Sequence, residues 1–306
     1  MALLQFARRP DRAIARTPDP RASAALLEGV SLEVMPRTLA KVDDLSGLLP
    51  AGSRVYVAHI DGTPIDDMVA TAARLAHAGY SVMPHFPARI IDGPDMLADW
   101  IARYQGEADV TEALVLAGGV TTPRGAFDNS MQLLETGAFD RAGFTRLHVA
   151  GHPEGNRDID PDGSERAVMD AARWKATFAE RTDAEMAMVT QFAFEAAPVI
   201  AWTDRLKAEG IGLPVHVGLA GPAKLQTLIR FAIACGVGPS LRVLQRRARD
   251  VTRLVQPFTP DGILGDLAAH KAAHPDSLIA GVHLFPLGGI AQATDWVRAQ
   301  ADGTSA

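Results

Sequence analysis

The sequence predicts an α/β protein folded as a (β/α)8 TIM barrel. Eight short apolar runs, most of them rich in Val, recur along the 306 residues. Amphipathic helical patterns separate these runs, which is the alternation expected of strands followed by covering helices. The chain is 47% hydrophobic and 22% charged, enough for one full core. A doubly wound open sheet has similar content, but no Gly-x-Gly-x-x-Gly motif follows the first run.

The strand candidates are short and apolar, as are strands that helices cover on both faces. They span residues 31–36, 54–60, 81–86, 112–119, 146–153, 186–194, 214–221 and 281–289. Helical spacing of apolar residues predicts helices over 66–78, 95–104, 130–135, 165–180, 196–209 and 222–235. Residues 239–279 predict two more helices with a Pro-rich link. We expect an N-terminal arm (1–21), a catalytic barrel (22–301) and a flexible tail (302–306).

Local residues mark several helix ends. Asp66, Asp95 and Ser164 are candidates for N-caps or first-turn acids, because they satisfy free backbone N–H groups. Gly79 and Gly236 are candidates for the C-terminal stop, since glycine adopts the left-handed conformation without strain.

Composition excludes several classes of partner. The net charge of −6 and pI of about 5.8 argue against a nucleic-acid ligand, which requires a basic face. No apolar run reaches the roughly 18–20 residues that span a bilayer. The single cysteine, Cys235, allows neither an internal disulfide nor a thiolate metal cage and indicates a reducing cytoplasm. It lies on an apolar helix pattern, so we expect it to be buried and inert. A homo-oligomer remains open.

The chemistry of such barrels lies at the carboxyl ends of the strands. Glu33 stands there between Leu32 and Val34, inside an otherwise apolar run. Burial is expected to raise the pKa of its carboxyl, which suits a general acid at neutral pH. The alternative is a carboxylate paired with an arginine at the barrel mouth.

Four histidines also fall at predicted strand ends, namely His59, His85, His152 and His283. They could converge on a divalent metal, as in barrel hydrolases. The first strand carries no His-x-His pair and no helix carries Glu-x-x-His, so ligand or backbone contacts are favoured over a metal site.

The sixth run carries a polar amide in an apolar strand. Period-two alternation places Met186, Met188, Phe192 and Phe194 on one face, with Gln191 on the other. An amide that both donates and accepts suits the edge of a heterocycle, although neighbouring backbone would satisfy it equally well. Glycine-rich turns at 218–222 and 286–290 are either phosphate sites or tight turns.

Five motifs together resemble the methylenetetrahydrofolate reductases of the single-domain bacterial type. They are SLEVMP (31–36), MPHF (83–86), VAGHPEGN (149–156), VTQFAF (189–194) and GVHLFPL (281–287), and their order matches the family over roughly residues 30–290. The resemblance implies a barrel that reduces 5,10-methylenetetrahydrofolate to 5-methyltetrahydrofolate with NADH or NADPH. In this family a flavin, FAD, relays the hydride.

The resemblance also assigns roles to residues. Glu33 matches the general acid that opens the five-membered ring of the folate, and Gln191 matches a folate-binding glutamine. Phe231 matches an aromatic residue beside the nicotinamide and folate site. His85 matches a flavin-contacting histidine, and Lys175 matches a flavin-phosphate lysine.

The sequence departs from the family mainly on the flavin side. Where the family has Leu-Arg-Gly-Asp after strand four, this chain has Leu followed by Ala117, Gly118 and Gly119. His152 replaces a tyrosine and Asn156 replaces a histidine at positions that contact the cofactor. Two alternatives follow: flavin relays the hydride, or the nicotinamide delivers it directly to the folate iminium.

The lost aspartate leaves the pterin in need of another anchor, for which His59 and His152 are candidates. Two functions of other classes compete with the reductase. One is a folate-binding protein without redox turnover, which the missing flavin contacts favour. The other is a metal-dependent barrel hydrolase built on the histidines.

Overall fold

The computed structural model describes residues 19–236, 244 and 257–303. Its eight strands close into one parallel barrel in sequential order, with the first strand pairing the last. They are β1 (Ser31–Val34), β2 (Arg54–Val57), β3 (Ser81–Pro87), β4 (Glu112–Leu116), β5 (Arg146–Gly151), β6 (Glu185–Ala193), β7 (Val215–Ala220) and β8 (Ile279–Phe285). The predicted (β/α)8 barrel is confirmed. All strands except β3 end earlier than predicted, because the last residues of those runs form the loops at the mouth.

Helices alternate with the strands around the outside of the barrel. They are α1 (Pro20–Leu27), α2 (Pro36–Leu39), α3 (Ile65–His77), α4 (Pro94–Ala108), α5 (Ser130–Glu135), α6 (Ala138–Arg141), α7 (Arg166–Ala179), α8 (Ala196–Ala208), α9 (Leu225–Ala234), α10 (Asp261–Ala273) and α11 (Ile290–Ala301). None of the helices in the described ranges is long and apolar enough to cross a membrane. Helix α10 lies within the predicted stretch 239–279, of which residues 239–243 and 245–256 lie outside the described ranges.

Most predicted helix ends are found. Asp66 and Asp95 lie in the first turns of α3 and α4, and Gly79 and Gly236 have the positive φ of a C-terminal stop. Ser164 is not an N-cap. Helix α7 follows Glu165, and the carboxylate of Asp160 accepts from the N–H groups of residues 167 and 168 at 3.0 Å each. Asp160, in the loop that precedes α7, therefore caps this helix in place of Ser164.

The expected domain limits fall partly outside the described ranges. Residues 1–18 and 304–306 belong to the expected arm and tail and are not described. Helix α1 begins at Pro20, so the expected boundary between residues 21 and 22 falls within it. The limits at 1–21, 22–301 and 302–306 remain a prediction.

Two of the three apolar clusters among the described residues form layers on either side of the strands. The larger one fills the space between strands and helices and includes Leu32, Val34 and Leu75. A smaller one lies inside the barrel and is formed by Tyr56, Met83, Leu114 and Val189. These two clusters pack the strands against the helices and fill part of the barrel interior.

Charged residues close the amino-terminal end of the barrel. Glu112 lies 2.6 Å from the Nε atom of Arg54 and 2.7 Å from Arg146, which also contacts Glu185. Each of the four is the first residue of its strand. Burial alone would raise the pKa of Glu112, but the two arginines lower it below its ordinary value. The network therefore pairs charges of both signs at the amino-terminal end of the barrel, opposite the expected site.

Strand β6 contains a bulge that changes which face its residues occupy. Its pairing with β7 shifts between Val189 and Phe192, so Thr190 and Gln191 interrupt the ladder. The Thr190 hydroxyl accepts from the N–H of Gly218 and donates to the Gln191 carbonyl, both at 2.9 Å. A Cβ at Gly218 would lie 2.5 Å from the Thr190 carbonyl oxygen, so this close approach requires glycine.

The bulge makes one prediction wrong. Met186 and Met188 pack in the layer under the helices, whereas Phe192 and Phe194 belong to a separate cluster with Phe285. The four residues do not share a face, because the extra residue at the bulge reverses the alternation.

Candidate active site

Glu33 lies inside the barrel near the carboxyl end of β1, with a histidine on either side. Its Oε2 atom is 3.4 Å from Nε2 of His85 on β3 and 3.7 Å from Nε2 of His283 on β8. The His283 side chain is 1% exposed, but that of Glu33 is 20% exposed. The Glu33 carboxylate therefore contacts two buried histidines and keeps part of its surface exposed at the barrel mouth.

The expected rise in the pKa of Glu33 is wrong. Burial does act to raise the pKa, but the adjacent imidazoles of His283 and His85 outweigh it and lower the value to about 2. The carboxyl is ionised at neutral pH in the ligand-free protein. The sequence placed Glu33 in an apolar run, yet the two imidazoles that stabilise its charge come from distant strands. Among the described residues, the side chains that pair with Glu33 are histidines, and none of them is the arginine of the alternative.

Below Glu33 the polar side chains continue into the barrel. Nδ1 of His283 lies 2.9 Å from the hydroxyl of Ser31, and the hydroxyl of Tyr56 lies 2.6 Å from Nδ1 of His148. The rings of His148 and His216 stack with centroids 5.0 Å apart. Sequence reasoning missed all of these except His283. The sequence signal that could have identified them is a polar residue at an inward-facing position of an otherwise apolar strand.

Gln191 lies on the bulge of β6 and is exposed. Its side-chain oxygen accepts a 3.1 Å bond from the N–H of its neighbour Phe192. The expectation of a dry amide is therefore wrong, because the bulge turns this residue out of the ladder. An exposed amide at this strand end is available to a ligand.

His59 occupies a different environment from Glu33. Its Nε2 atom bonds the Thr63 carbonyl at 3.0 Å, and its ring stacks on Trp100 of α4 at 4.7 Å. Burial lowers the pKa of His59. These contacts anchor the loop after β2, and a role in binding folate stays a prediction.

The loop after β4 provides no charged side chain at the positions where the family has them. Gly118 has a φ of 96°, and a Cβ there would lie 3.0 Å from the Pro87 side chain. The Ala117 carbonyl accepts from the N–H of Arg89 at 2.9 Å, and Gly119 is exposed. Residues 117–119 therefore form a turn that packs against the end of β3.

Arg89, which sequence reasoning missed, joins three loops at the mouth. Its guanidinium donates to the carbonyls of Val120 and Asp128 at 3.1 and 2.9 Å and to the carboxylate of Asp158 at 2.6 Å. The Arg89 side chain is only 11% exposed. It therefore fixes the loops after β3, β4 and β5 relative to one another. An arginine after a strand end was its only sequence signal.

Lys175, expected to reach a flavin phosphate, is buried. Its Nζ atom donates to the Ala150 carbonyl at 2.8 Å, and burial lowers its pKa to about 8. His152 is half-buried nearby, where burial and then the charge of Lys175 lower its pKa to about 3. The side chain of Asn156 accepts from the N–H of Asp158 at 2.9 Å and shapes its own loop. Lys175 and Asn156 are directed at protein groups, so they do not form a cradle for a flavin phosphate.

The remaining predicted residues lie on α9. Phe231 is partly buried against the cluster of Phe192 and Phe285. Cys235, at the end of this helix, is exposed, so the expected burial is wrong. Partial desolvation and then the charge of Glu33 raise the pKa of the thiol to about 11, which keeps it protonated at neutral pH.

The glycine-rich turns after β7 and β8 pack against each other. The N–H of Gly221 donates to the Phe285 carbonyl at 2.8 Å, and that of Gly289 donates to the Pro286 carbonyl at 3.0 Å. A Cβ at Gly288 would meet the Pro222 carbonyl oxygen at 2.1 Å. Close packing of two turns thus accounts for glycine here, and these two N–H groups are engaged.

No group of three or more His, Cys, Asp or Glu side chains is arranged to hold a metal ion within residues 19–236, 244 and 257–303. Two surface clefts of about 350 and 400 Å³ lie between α7 and α8 and beside Phe194 and Phe258. Neither of them is lined by Glu33, and the first is lined mainly by paired charges. The barrel mouth, where Glu33 lies beside two histidines, therefore remains the candidate active site.

Fold and site together define a (β/α)8 barrel with a carboxylate and two imidazoles at its mouth. No known family model matches the chain. Its fold is similar to that of an uncharacterized protein from Clostridium thermocellum described as binding two copies of 5-methyl-5,6,7,8-tetrahydrofolic acid. The TM-score is 0.56 and the identity 11%, over 91% of this chain and 98% of that one. The carboxyl transferase domain of Rhizobium etli pyruvate carboxylase matches with a TM-score of 0.45 and 10% identity, over 97% of this chain and 53% of that one.

Proposed function

We propose that this protein binds a reduced folate at the barrel mouth and reduces 5,10-methylenetetrahydrofolate to 5-methyltetrahydrofolate. The observation that carries the proposal is the accessible Glu33 carboxylate between His85 and His283. The motifs that resemble methylenetetrahydrofolate reductases supply the substrate class. The fold neighbour described with 5-methyltetrahydrofolic acid supports it independently of those motifs.

The reaction needs one hydride at the methylene carbon and one proton at the nitrogen that leaves it. Glu33 is ionised before the substrate binds, because its histidines lower its pKa to about 2. A pterin seated over the carboxylate removes the water that reaches it, and desolvation raises the pKa of a carboxyl. Glu33 then takes up a proton and passes it to the folate nitrogen, which opens the ring to an iminium.

We propose NADH or NADPH as the direct hydride donor, without flavin. The residues expected to hold FAD do not fit it: Lys175 donates to a backbone carbonyl, and positions 117 and 119 carry no charged side chain. An iminium is strongly electrophilic, so orienting the two reactants is the main catalytic requirement. The hydride leaves the dihydronicotinamide carbon for the methylene carbon, and the oxidised nicotinamide is released.

Three residues are proposed to position the substrates. The exposed amide of Gln191 binds the edge of the pterin, and Phe231 lies beside the nicotinamide and folate. His152 supplies a further polar contact at the end of β5. His85 is reassigned from the flavin to Glu33, which it approaches within 3.4 Å.

The test is a folate titration followed by a turnover assay on the purified chain. We expect saturable binding of 5-methyltetrahydrofolate by calorimetry and oxidation of NADH or NADPH only when methylenetetrahydrofolate is present. We expect no flavin absorbance and no increase in rate on adding FAD. A stoichiometric flavin spectrum would reject the direct transfer, and an absence of folate binding would reject the whole proposal.

A second candidate is a folate-binding protein without redox turnover. The ionised state of Glu33 favours it, because a carboxylate accepts two hydrogen bonds from the amino and ring N–H groups of a pterin. Folate binding with no oxidation of either nicotinamide would select this candidate. The hydrolase alternative has no metal-ligand cluster in the part of the chain that is described.

A further inference from the structure

Arg89 lies in the turn that follows β3, the strand that places His85 beside Glu33. Its side chain is largely buried, so most of the guanidinium is removed from water. A buried charge is costly unless other groups pair with it and accept its hydrogen bonds. The acceptors of this guanidinium come from two other loops of the mouth, which follow β4 and β5.

The guanidinium reaches these loops through separate nitrogen atoms. Its Nε atom donates to the carbonyl and the carboxylate of Asp128 at 2.9 and 3.1 Å. One terminal nitrogen donates to the Val120 carbonyl at 3.1 Å and to the carboxylate of Asp158 at 2.6 Å. Arginine carries five N–H donors in a rigid fork, whereas lysine offers a single nitrogen. This set of contacts therefore requires the fork of an arginine.

The backbone also holds the loop after β4 against the turn after β3. The N–H of Arg124 donates to the Arg89 carbonyl at 2.9 Å, and the N–H of Ala126 donates to the Asp92 carbonyl at 3.0 Å. Between them, a Cβ at Gly125 would lie 1.9 Å from the Asp92 carbonyl oxygen. The two segments are therefore in direct contact, and the Arg89 side chain fixes the far end of the same loop at Asp128.

The loop after β5 is attached at two points. Its C-terminal part is attached to α7, because the Asp160 carboxylate accepts from the N–H groups of residues 167 and 168. Within the loop, the side chain of Asn156 accepts from the N–H of Asp158, and its carbonyl accepts from the N–H of Asp160 at 2.8 Å. The carboxylate of Asp158 is then the attachment to Arg89, which joins this loop to the other two.

These loops are long enough to need such attachments. Residues 117–129 and 152–165 contain neither helix nor strand. Loops of about this length are uncommon in compact domains and are usually either functional or mobile. The loops after the strands of a barrel build its ligand site. A loop that is already held in place loses little further freedom when a ligand binds, and this preorganisation favours affinity.

We propose that Arg89 is a positioning residue that holds the loops after β4 and β5 as a preformed wall of the binding site, on the β3 side of Glu33. That the ligand is a reduced folate rests on the proposed function. That Arg89 holds the loops does not, because it follows from contacts within the chain.

The first experiment is amide hydrogen exchange of the ligand-free chain, read by mass spectrometry. We expect Arg89→Met to speed exchange in residues 117–129 and 152–160 about tenfold, the worth of one hydrogen bond. Asp158→Ala removes one attachment only, so it should speed exchange in 152–160 and leave 117–129 unchanged. Arg103→Met is the matched control, since it removes a guanidinium that pairs with two carboxylates on the outer helices α3 and α4. It should alter neither loop.

The second experiment measures ligand binding in the same variants. We expect Arg89→Met to weaken binding of 5-methyltetrahydrofolate about tenfold by calorimetry and to raise KM with kcat unchanged, because binding rather than chemistry is lost. Arg89→Lys keeps the charge but not the fork, so it should behave like Arg89→Met. Wild-type affinity in Arg89→Lys would show that the charge acts on the ligand directly and would overturn the positioning role.

The proposal is also overturned if the folded variants Arg89→Met and Asp158→Ala exchange like the wild type. The same holds if the loops loosen in Arg89→Met while folate affinity and KM stay unchanged. Asp158 is half exposed, so Asp158→Ala provides the test even if Arg89→Met does not fold. A wild type that binds no folate would reject the proposed function, whereas the exchange experiment, which uses no ligand, would still decide whether Arg89 holds the loops.

Discussion

The Oε2 atom of Glu33 lies 3.4 Å from Nε2 of His85. This contact joins the first and third strands at the barrel mouth and places an imidazole beside an ionised acid. It also explains why the carboxyl is not the desolvated acid that its apolar sequence neighbours predict. Its proton affinity is determined by imidazoles from β3 and β8.

Replacing Glu33 with glutamine tests its role as the acid. We expect Glu33→Gln to reduce turnover by about 10²–10⁴-fold, the usual worth of a general acid. The nicotinamide KM should change little. Steady-state kinetics and folate calorimetry measure both effects. Glu180→Gln, at the exposed end of α7, is the matched control and should keep full activity. Near-normal turnover in Glu33→Gln would remove Glu33 from the mechanism.

The buried Lys175 predicts an unusual pH dependence on the alkaline side. Burial lowers its pKa from 10.5 to about 8. Between these values the unfolded chain binds more protons, so the free energy of unfolding should rise with pH by up to about 3 kcal/mol. Urea titrations from pH 7 to 10.5 measure the rise. Lys175→Met should abolish it, and Lys207→Met, at an exposed lysine, should not. An unchanged slope in Lys175→Met would contradict this.

His216 predicts a loss of stability in mild acid. Burial lowers its pKa from 6.5 to about 4. The unfolded chain therefore binds more protons between pH 6.5 and 4, and stability falls as pH falls through this range by at most about 3 kcal/mol. We expect His216→Leu to flatten the denaturation profile there. His77→Gln, on the exposed side of α3, should reproduce the wild-type profile. The prediction fails if both variants behave alike.

The bulge in β6 predicts that Gly218 tolerates no side chain. A Cβ there would lie 2.5 and 2.6 Å from the carbonyl oxygens of Thr190 and Gln191. Gly218→Ala should lower the free energy of unfolding by about 1–3 kcal/mol, the usual cost of overpacking. Gly212→Ala is the control, because nothing lies within 4 Å of its added Cβ. Chemical denaturation compares the two, and equal stability would show that the bulge can shift.

The sequence could predict much of the fold because the signals are local. Runs such as 54–60 and 214–221 are largely apolar and contain two valines each, which favours strands buried on both faces. Gly79 and Gly236 end helices through their own backbone freedom, so no distant contact was needed to place them. The bulge at Thr190 and Gln191 escaped prediction, because it depends on how β6 pairs with β7.

The sequence by itself determined the eight strand and helix units, the closed parallel barrel and the presence of an acid near the mouth. These follow from residue periodicity and from backbone preferences that act over a few neighbours. Only the tertiary structure decided that Glu33 is ionised, that Lys175 is buried and that Cys235 is exposed. A pKa and a solvent exposure depend on which side chains of distant strands meet in space, and periodicity carries no information about those meetings.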